Sequence, residues 1–522
     1  MEATYLIGTD IGSSSAKTVI ADKYGKILAS AVENYDILFP HNGWAEQWPD
    51  VWHHAVANTI RRCVNASGLD PRCIRGLCIS GLYGGSGIPL DKNMKPVRPC
   101  IIWMDRRTDL LTKGLKKSID PSSIMEITEN GIDSYFGFTK ILWIKENEPE
   151  LWKRIKLFLP PHSYVIYQLT GEITIDRSSA GNLGGIFDFE KNAWSQKMCD
   201  LLDIPMDLMP QRILNSYDIA GTLTPEAAKS LNLLPGIPVC AGCIDCLASN
   251  LSSGTTKSDQ CVAILATSLN WGLLHTKKPQ NPKYISMPYV TDNPDLRYTY
   301  GGISTAGALT KWFAETFASP CRRRNQEAPI PFNELEAAAS DIPIGSEGLI
   351  LLPYFMGERS PIWDSKARGT LMGLTVKHSA AHIYRAILES IGYALRHVME
   401  DYGYCFSRTT PCMLVGGGAS SRLWVHILAD ITGVPMQCMD NGVEAPVGDA
   451  FLAGYATGLF SDFRDIENWT HSYTVICPDW ENHERYNQYF QIYKNMFLSL
   501  QQDMHGLTDL SELPPLYSSE IK

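Results

Sequence analysis

A chain of 522 residues is longer than one compact hydrophobic core supports, and its make-up, 44% hydrophobic and 20% charged with 41 glycines and 31 prolines, is that of a globular protein of at least two domains. Its formal net charge of -10 excludes a nucleic-acid backbone as the main partner, because such binding needs clustered positive charge. The opening MEATYLIGTD has no basic stretch leading into an apolar run, and no segment approaches the ~20 apolar residues of a membrane span, so the expectation is a cytoplasmic protein with no membrane partner.

The sequons at Asn65, Asn250 and Asn468 are then chance matches, and the short basic run Arg322-Arg323-Arg324 reads as a solvated loop. Fourteen cysteines in a chain of this length do not form a disulfide scaffold. Cys240, Cys243 and Cys246 follow a C-x2-C-x2-C spacing without a fourth cysteine close behind, which favours small buried residues around a tight turn over an iron–sulfur cluster.

In chain order, YLIGTD (residues 5–10) reads as a strand, Gly12 to Ser15 as a turn, and residues 17–21 and 26–32 as two more strands. Val51, Ala55, Val56, Thr59 and Ile60 recur at helical steps after Pro49-Asp50, and a strand follows at 74–80. Strands and helices go on alternating, which makes the class α/β. Near the middle the pattern starts again. CVAILAT (261–267) is a strand, Ser268-Leu269-Asn270 a polar turn and WGLLHT (271–276) a return strand; residues 297–302 form a third strand before a helix near Thr305. A helix is expected over 380–402, a strand over 413–417 and a closing aromatic helix over about 481–503. The two halves read as a structural duplication, with a boundary in the small polar stretch near 250–257.

Four constellations carry chemistry. In Asp10-Ile11-Gly12-Ser13-Ser14-Ser15-Ala16-Lys17 an acid ends a strand and a Gly/Ser turn follows. Turn amides and hydroxyls can surround an anion, Lys17 can neutralise it, and Asp10 can hold Mg²⁺ through water, although a plain β-turn fits the same residues. Ala266-Thr267-Ser268 is a second hydroxyl-bearing turn on the repeated hairpin. Gly416-Gly417-Gly418 leads from a strand into a helix at 423–432, where a flat ring or a phosphate could approach, or where the glycines could merely end the strand. Asp245, after a strand and Gly242, could accept a proton from a sugar hydroxyl or could cap the next helix.

Together with GWAEQWPDVW (43–52), PVRPCIIWMDRRT (96–108), LTGE (169–172), GCIDC (242–246), GERSPIWD (357–364), ARGTLMGLT (367–375), GGGASSRLW (416–424) and EAPVGDAFLAGYATG (444–458), these stretches resemble the FGGY carbohydrate kinases of the actin-like ATPase superfold, over about residues 5–500. The resemblance implies two actin-like (ribonuclease H-like) ATPase domains with a cleft between them: 1–253 on the sugar and phosphate side, 254–480 on the nucleotide side, and 481–522 as a C-terminal helix and tail. It implies ATP and Mg²⁺ as cofactors and a small sugar as substrate. Asp245 takes the place of the catalytic base, and Asp10 that of the acid near the γ-phosphate and the metal. Ser13, Ser14, Ser15 and Lys17 resemble the first phosphate loop, and Thr267 with Ser268 the second. Gly307, Gly417, Gly418 and Arg422 fall where relatives hold the nucleotide. Tyr135 resembles a polyol-lining residue, and Tyr83, Trp103 and Asp105 lie in segments bordering the sugar.

Three departures bear on this reading. Ala266 stands where relatives carry glycine in the second loop, Cys246 where asparagine follows the base, and Ser80-Gly81-Leu82-Tyr83-Gly84-Gly85-Ser86-Gly87 where xylulose kinases have Gln-Met-His-Gly. D-xylulose is the first expected substrate, with gluconate, L-xylulose, erythritol or another ketose beside it. A nucleotide-operated binding protein and a catalytically inactive sugar sensor are the readings of another class. A homodimer is expected from the family.

Overall fold

The computed structural model describes residues 4–318, 332–439, 444–469 and 472–511; the basic run 322–324 lies outside them. The chain divides into two compact units. The first holds residues 1–259, 273–299 and 443–472, and the second holds 260–272, 300–442 and 473–522. The chain returns to the first unit twice, and the C-terminal helix is part of the second. The second return has a packing reason. Helix Ala445–Ala456 lies against strands Tyr5–Ile11 and Ile74–Gly81, where its almost continuous apolar surface is covered.

The sheet of the first unit runs in the order Ile219–Thr222, Pro238–Cys240, Ile74–Gly81, Tyr5–Ile11, Ser15–Asp22, Ile27–Asn34, with the short strand Cys243–Ile244 also paired to Ile74–Gly81. Tyr5–Ile11 is buried along almost its whole length, whereas the edge strand Ile27–Asn34 is largely exposed. Side chains alternate across Tyr5–Ile11. Ile7 and Ile11 join one core with Trp52 and Val56 of helix Pro49–Ser67. On the other face a Cβ at Gly8 would lie 1.8 Å from the Pro446 carbonyl, so helix Ala445–Ala456 passes there in backbone contact. Asp10 shares the parity of Gly8 and faces this second helix.

In the second unit, Cys261–Leu265, Cys412–Val415 and Met436–Met439 pair in parallel, and Tyr473–Ile476 closes that edge antiparallel. Helices Ala380–Tyr402 and Arg422–Thr432 pack together, and Arg422–Thr432 packs on Trp480–Ser511. The final helix runs past the expected Asp503 because Met504 and Thr508 continue its buried stripe. The strand expected over 413–417 stops at Val415, since Gly417–Ser420 turns as a short 3-10 helix. Cys240 and Cys243 are buried, and they and Cys246 are free thiols.

Candidate active site

Three neighbouring strand ends create the acidic centre. Ile74–Gly81 pairs in parallel with Tyr5–Ile11, which sets Asp10 beside Ser80, and on its other side with Cys243–Ile244, which sets Cys243 beside the same Ser80. Asp10 ends the first neighbour and Asp245 follows the second, so a shared central strand brings together two acids far apart in sequence. Gly242 permits the approach: its φ is +79°, and a Cβ there would lie 1.9 Å from the Ile79 carbonyl. Asp245 then opens helix Asp245–Ser252, with Oδ1 accepting from the Cys246 amide at 2.6 Å. It is thus a helix-start carboxylate and a neighbour of Asp10 at once.

The electrostatics follow from this crowding. Burial, and then the Asp245 charge, raise the Asp10 carboxyl well above the usual range, with the Ser80 hydroxyl and Lys17 pulling the other way. Asp245 is also raised, chiefly by burial, while the Cys246 amide and nearby His162 oppose it. A third acid, Asp449 on helix Ala445–Ala456, is wholly buried; its Oδ2 accepts from the Ser80 hydroxyl at 2.7 Å, and that hydroxyl also lies 3.3 Å from Asp10 Oδ1. Lys17, opposite Asp10 in the hairpin, is the nearby cation, and it is shared with Glu444 at 3.2 Å. Carboxyl groups crowded beside one shared lysine, each raised by burial, are the kind of oxygen ligands that a divalent cation would keep ionised. Among the described residues no group of three or more His, Cys, Asp or Glu is placed to cage one, so an ion here would complete its shell with water and phosphate oxygens.

The turn after Asp10 is pinned from behind. The Tyr35 hydroxyl donates to the Gly12 carbonyl (2.6 Å), the Tyr35 amide to Ser14 (3.0 Å) and the Gln47 amide to Ser13 (2.9 Å). The Trp103 indole donates to the Ser13 hydroxyl at 3.0 Å. The hydroxyls of Ser14 and Ser15 have no partner among the described residues. Such a turn can present hydroxyls to an anion without rearranging.

On the expected sugar side, Tyr83 and Tyr135 are buried, and the Tyr135 hydroxyl donates to Asn182 Oδ1 at 3.2 Å. Nδ2 of Asn182 is buried with no partner among the described residues, a donor waiting for an acceptor. Asn182 was not visible to sequence reasoning, and neither was His162, whose Nε2 lies 2.8 Å from Asp176 Oδ2 in a wholly buried pair. Burial would raise the Asp176 carboxyl, but His162, Ser178 and Ser179 hold it below the usual range, so it accepts and Nε2 donates. Asp105, expected beside the sugar, already has partners. It is wholly buried, accepts from the Ala45 amide (2.6 Å) and the Arg107 amide (2.9 Å), and pairs with the Arg107 guanidinium at 2.7 Å. These bonds brace the loop that carries Asp105.

The second unit gathers the other expected residues at one place. The Ala266 carbonyl accepts from the Gly307 amide (2.9 Å), and the Thr267 carbonyl from those of Ala306 (3.0 Å) and Ala308 (3.1 Å), which laces the turn to the start of helix Gly307–Phe313. Ser268 closes the same turn through its carbonyl, which accepts from the Ala266 amide at 2.9 Å. Gly416 lies against the Leu265 carbonyl and Gly418 against the Leu265 side chain, while beside Gly417 there is open space. Arg422 is exposed at the head of helix Arg422–Thr432. The Ala266 side chain is exposed, so its methyl displaces nothing in the turn. Glu358, which sequence reasoning did not single out, braces this locus by accepting from the Ser304 and Arg359 amides, each at 2.7 Å.

Paired buried carboxylates and a hydroxyl-bearing turn in the first unit, and a glycine-lined helix entry in the second, are residue types that phosphoryl transfer to a hydroxyl uses. Residues 5–252 match the family model "FGGY family of carbohydrate kinases, N-terminal domain" and residues 261–457 its C-terminal counterpart; the chain belongs to this family. It is a sugar kinase, with a nucleotide as phosphoryl donor. It is 30% identical over 495 residues to a xylulose kinase of Bacillus subtilis, an alignment covering 94% of this chain and 96% of that one. A gluconokinase of the same organism is 26% identical over 511 residues, covering 97% and 98%. The solved xylulose kinase of Rhodospirillum rubrum has the same two-domain architecture, with a TM-score of 0.86, 26% identity and coverage of 96% and 100%.

Proposed function

We propose that this enzyme transfers the γ-phosphoryl group of ATP to a hydroxyl of a ketopentose, D-xylulose before others. The observation that carries the reading is the meeting of Asp10 and Asp245 on either side of one strand. Asp245 accepts the proton of the attacking hydroxyl, and its raised pKa strengthens it as a base once it is ionised. Ser14, Ser15 and Lys17 steady the phosphate chain. Asp10 would hold Mg²⁺, which when bound would supply charge neutralisation to the phosphate oxygens. Tyr83, Tyr135 and Asn182 orient the polyol, and the Asn182 amide supplies an unmatched donor to it. Thr267, Ser268, Gly307, Gly417, Gly418 and Arg422 hold the nucleotide.

The likeness to xylulose kinases over nearly the full chain puts D-xylulose first, and the gluconokinase relative makes gluconate the second substrate to try. By the same family reading the enzyme works in the cytoplasm as a homodimer, which sedimentation velocity tests. The deciding experiment is a coupled ADP assay over pentuloses, hexuloses, polyols and aldonates, run beside Asp245→Ala. Sugar-dependent ADP release that falls at least ~10²-fold in the variant supports the reading. Sugar binding without turnover, or equal turnover in the variant, overturns it.

A further inference from the structure

Lys140 is wholly buried in helix Gly137–Asn147, and none of its partners is a carboxylate. Its ammonium donates to the carbonyls of Gly84 (3.0 Å), Ser134 (2.5 Å) and Tyr135 (2.8 Å). Three N–H donors meet three acceptors, which satisfies the group without neutralising its charge. A buried ammonium without a carboxylate costs stability, so its retention needs a purpose beyond packing.

That purpose lies in what the carbonyls belong to. Gly84 sits in the 80–87 segment, where this chain departs from the sequence its relatives use, and Tyr135 is the expected polyol-lining residue. The two are in direct contact: φ at Gly84 is +88°, and a Cβ there would fall 2.6 Å from the Tyr135 ring. The Tyr135 hydroxyl in turn orients Asn182. We infer that Lys140 is a positioning residue for the sugar pocket, its ammonium tying the Gly84 turn to Tyr135 and so fixing the wall against which the sugar is held. This rests on the kinase reading above and adds the residue that shapes the sugar side alone.

Deprotonation would leave two donors for three carbonyls and turn a lone pair toward the third. Burial, and then the Arg106 charge, lower the Lys140 pKa to about 7, with Asp105 and Asp133 opposing. The Cys100 thiol, pushed up to about 12, keeps its proton near neutrality, as does Tyr83, which burial raises well above its usual value. The tie is thus intact below neutrality and loosens as pH rises through it.

The test is calorimetric binding of D-xylulose, of gluconate and of a non-hydrolysable ATP analogue to the full chain from pH 6 to 8.5, for the wild type and Lys140→Met, with steady-state kinetics alongside. Sugar affinity should weaken about tenfold across the range, as expected for one charge-assisted hydrogen bond, while nucleotide affinity stays level. Lys140→Met should raise the KM for sugar about tenfold or more, keep kcat within about threefold and lose the pH step. A wild-type sugar affinity that is flat with pH overturns the inference even if the variant fails to fold, and so does a folded variant with unchanged sugar KM. Protein that binds a sugar with the expected pH step but transfers no phosphate overturns the kinase reading alone. Protein that binds neither sugar overturns both.

Discussion

His162 and Asp176 form a wholly buried pair, Nε2 to Oδ2 2.8 Å, on which the Asp245 turn rests. Asp176 also accepts from the Ser178 hydroxyl, and that hydroxyl accepts from the Ile244 amide at 3.1 Å, one residue before Asp245. His162→Ala should therefore act twice. Removing one partner of a buried pair costs ~3–5 kcal/mol of stability, and loosening the turn should lower kcat by ~10-fold or more with nucleotide KM little changed. Differential scanning calorimetry and steady-state kinetics check the two effects; a destabilised variant with wild-type kcat would reduce the pair to a structural role.

The pH profile should carry the mark of Asp245. Its carboxyl is raised, so it is protonated, and inactive as a base, up to a higher pH than an ordinary aspartate. The acid limb of kcat/KM should fall off above the ~4 of an unperturbed carboxylate, with activity present on the alkaline side of that limb and lost as pH drops through it. Rate measurements from pH 4 to 8 locate the limb. Because Asp10 and Asp245 sense one another, the limb belongs to the pair.

Asp449 should reveal itself through stability. Burial first, and then the Asp10 charge, raise its carboxyl well above the usual range, against the opposing Ser80 hydroxyl. A folded pKa above the unfolded one means a contribution that is full at low pH and lost as pH rises through the folded value. Asp449→Asn keeps a side chain able to bond Ser80 and does not titrate. Its melting temperature should exceed that of the wild type at pH 8 by ~1–1.5 °C per kcal/mol recovered, and the gap should close as pH falls. Equal melting curves across the pH values measured would show that Asp449 does not change charge in this range.

Gly307 tests the division of labour. A Cβ there would lie 2.5 Å from the Ala266 carbonyl, which holds the second turn to its helix. Gly307→Val should raise the KM for ATP about tenfold, ~1.4 kcal/mol, and leave the KM for sugar within about twofold. A variant that loses sugar affinity instead would place the nucleotide elsewhere.

The acids at residues 10 and 245 were legible in the sequence because each follows a short apolar strand and stands next to a glycine-containing turn, a local pattern. Thr267 and the 416–418 glycines showed in the same kind of local pattern, whereas Gly307 came only from the family resemblance. Asp449 was not, because an acid within a helix of small residues reads as a solvated position until the helix is seen buried against a sheet. Lys140 was hidden likewise, since a lysine in GFTKILWIKEN is ordinarily a surface residue. The bonds of Asp105 to Arg107 and Ala45 were hidden as well, because the sequence does not show which groups a carboxylate will meet.

Element types, the duplicated hairpins and the residue types of each turn follow from short-range pattern, because strand alternation, helix periodicity and turn chemistry act over a few neighbouring residues. Which of those residues meet is a different matter. Parallel pairing to Ile74–Gly81 put Asp10 and Asp245 on either side of Ser80, and the return of helix Ala445–Ala456 added Asp449. Strand register and helix packing join segments far apart in the chain, and the burial they impose, with the charge interactions it strengthens, exists only once the chain has folded.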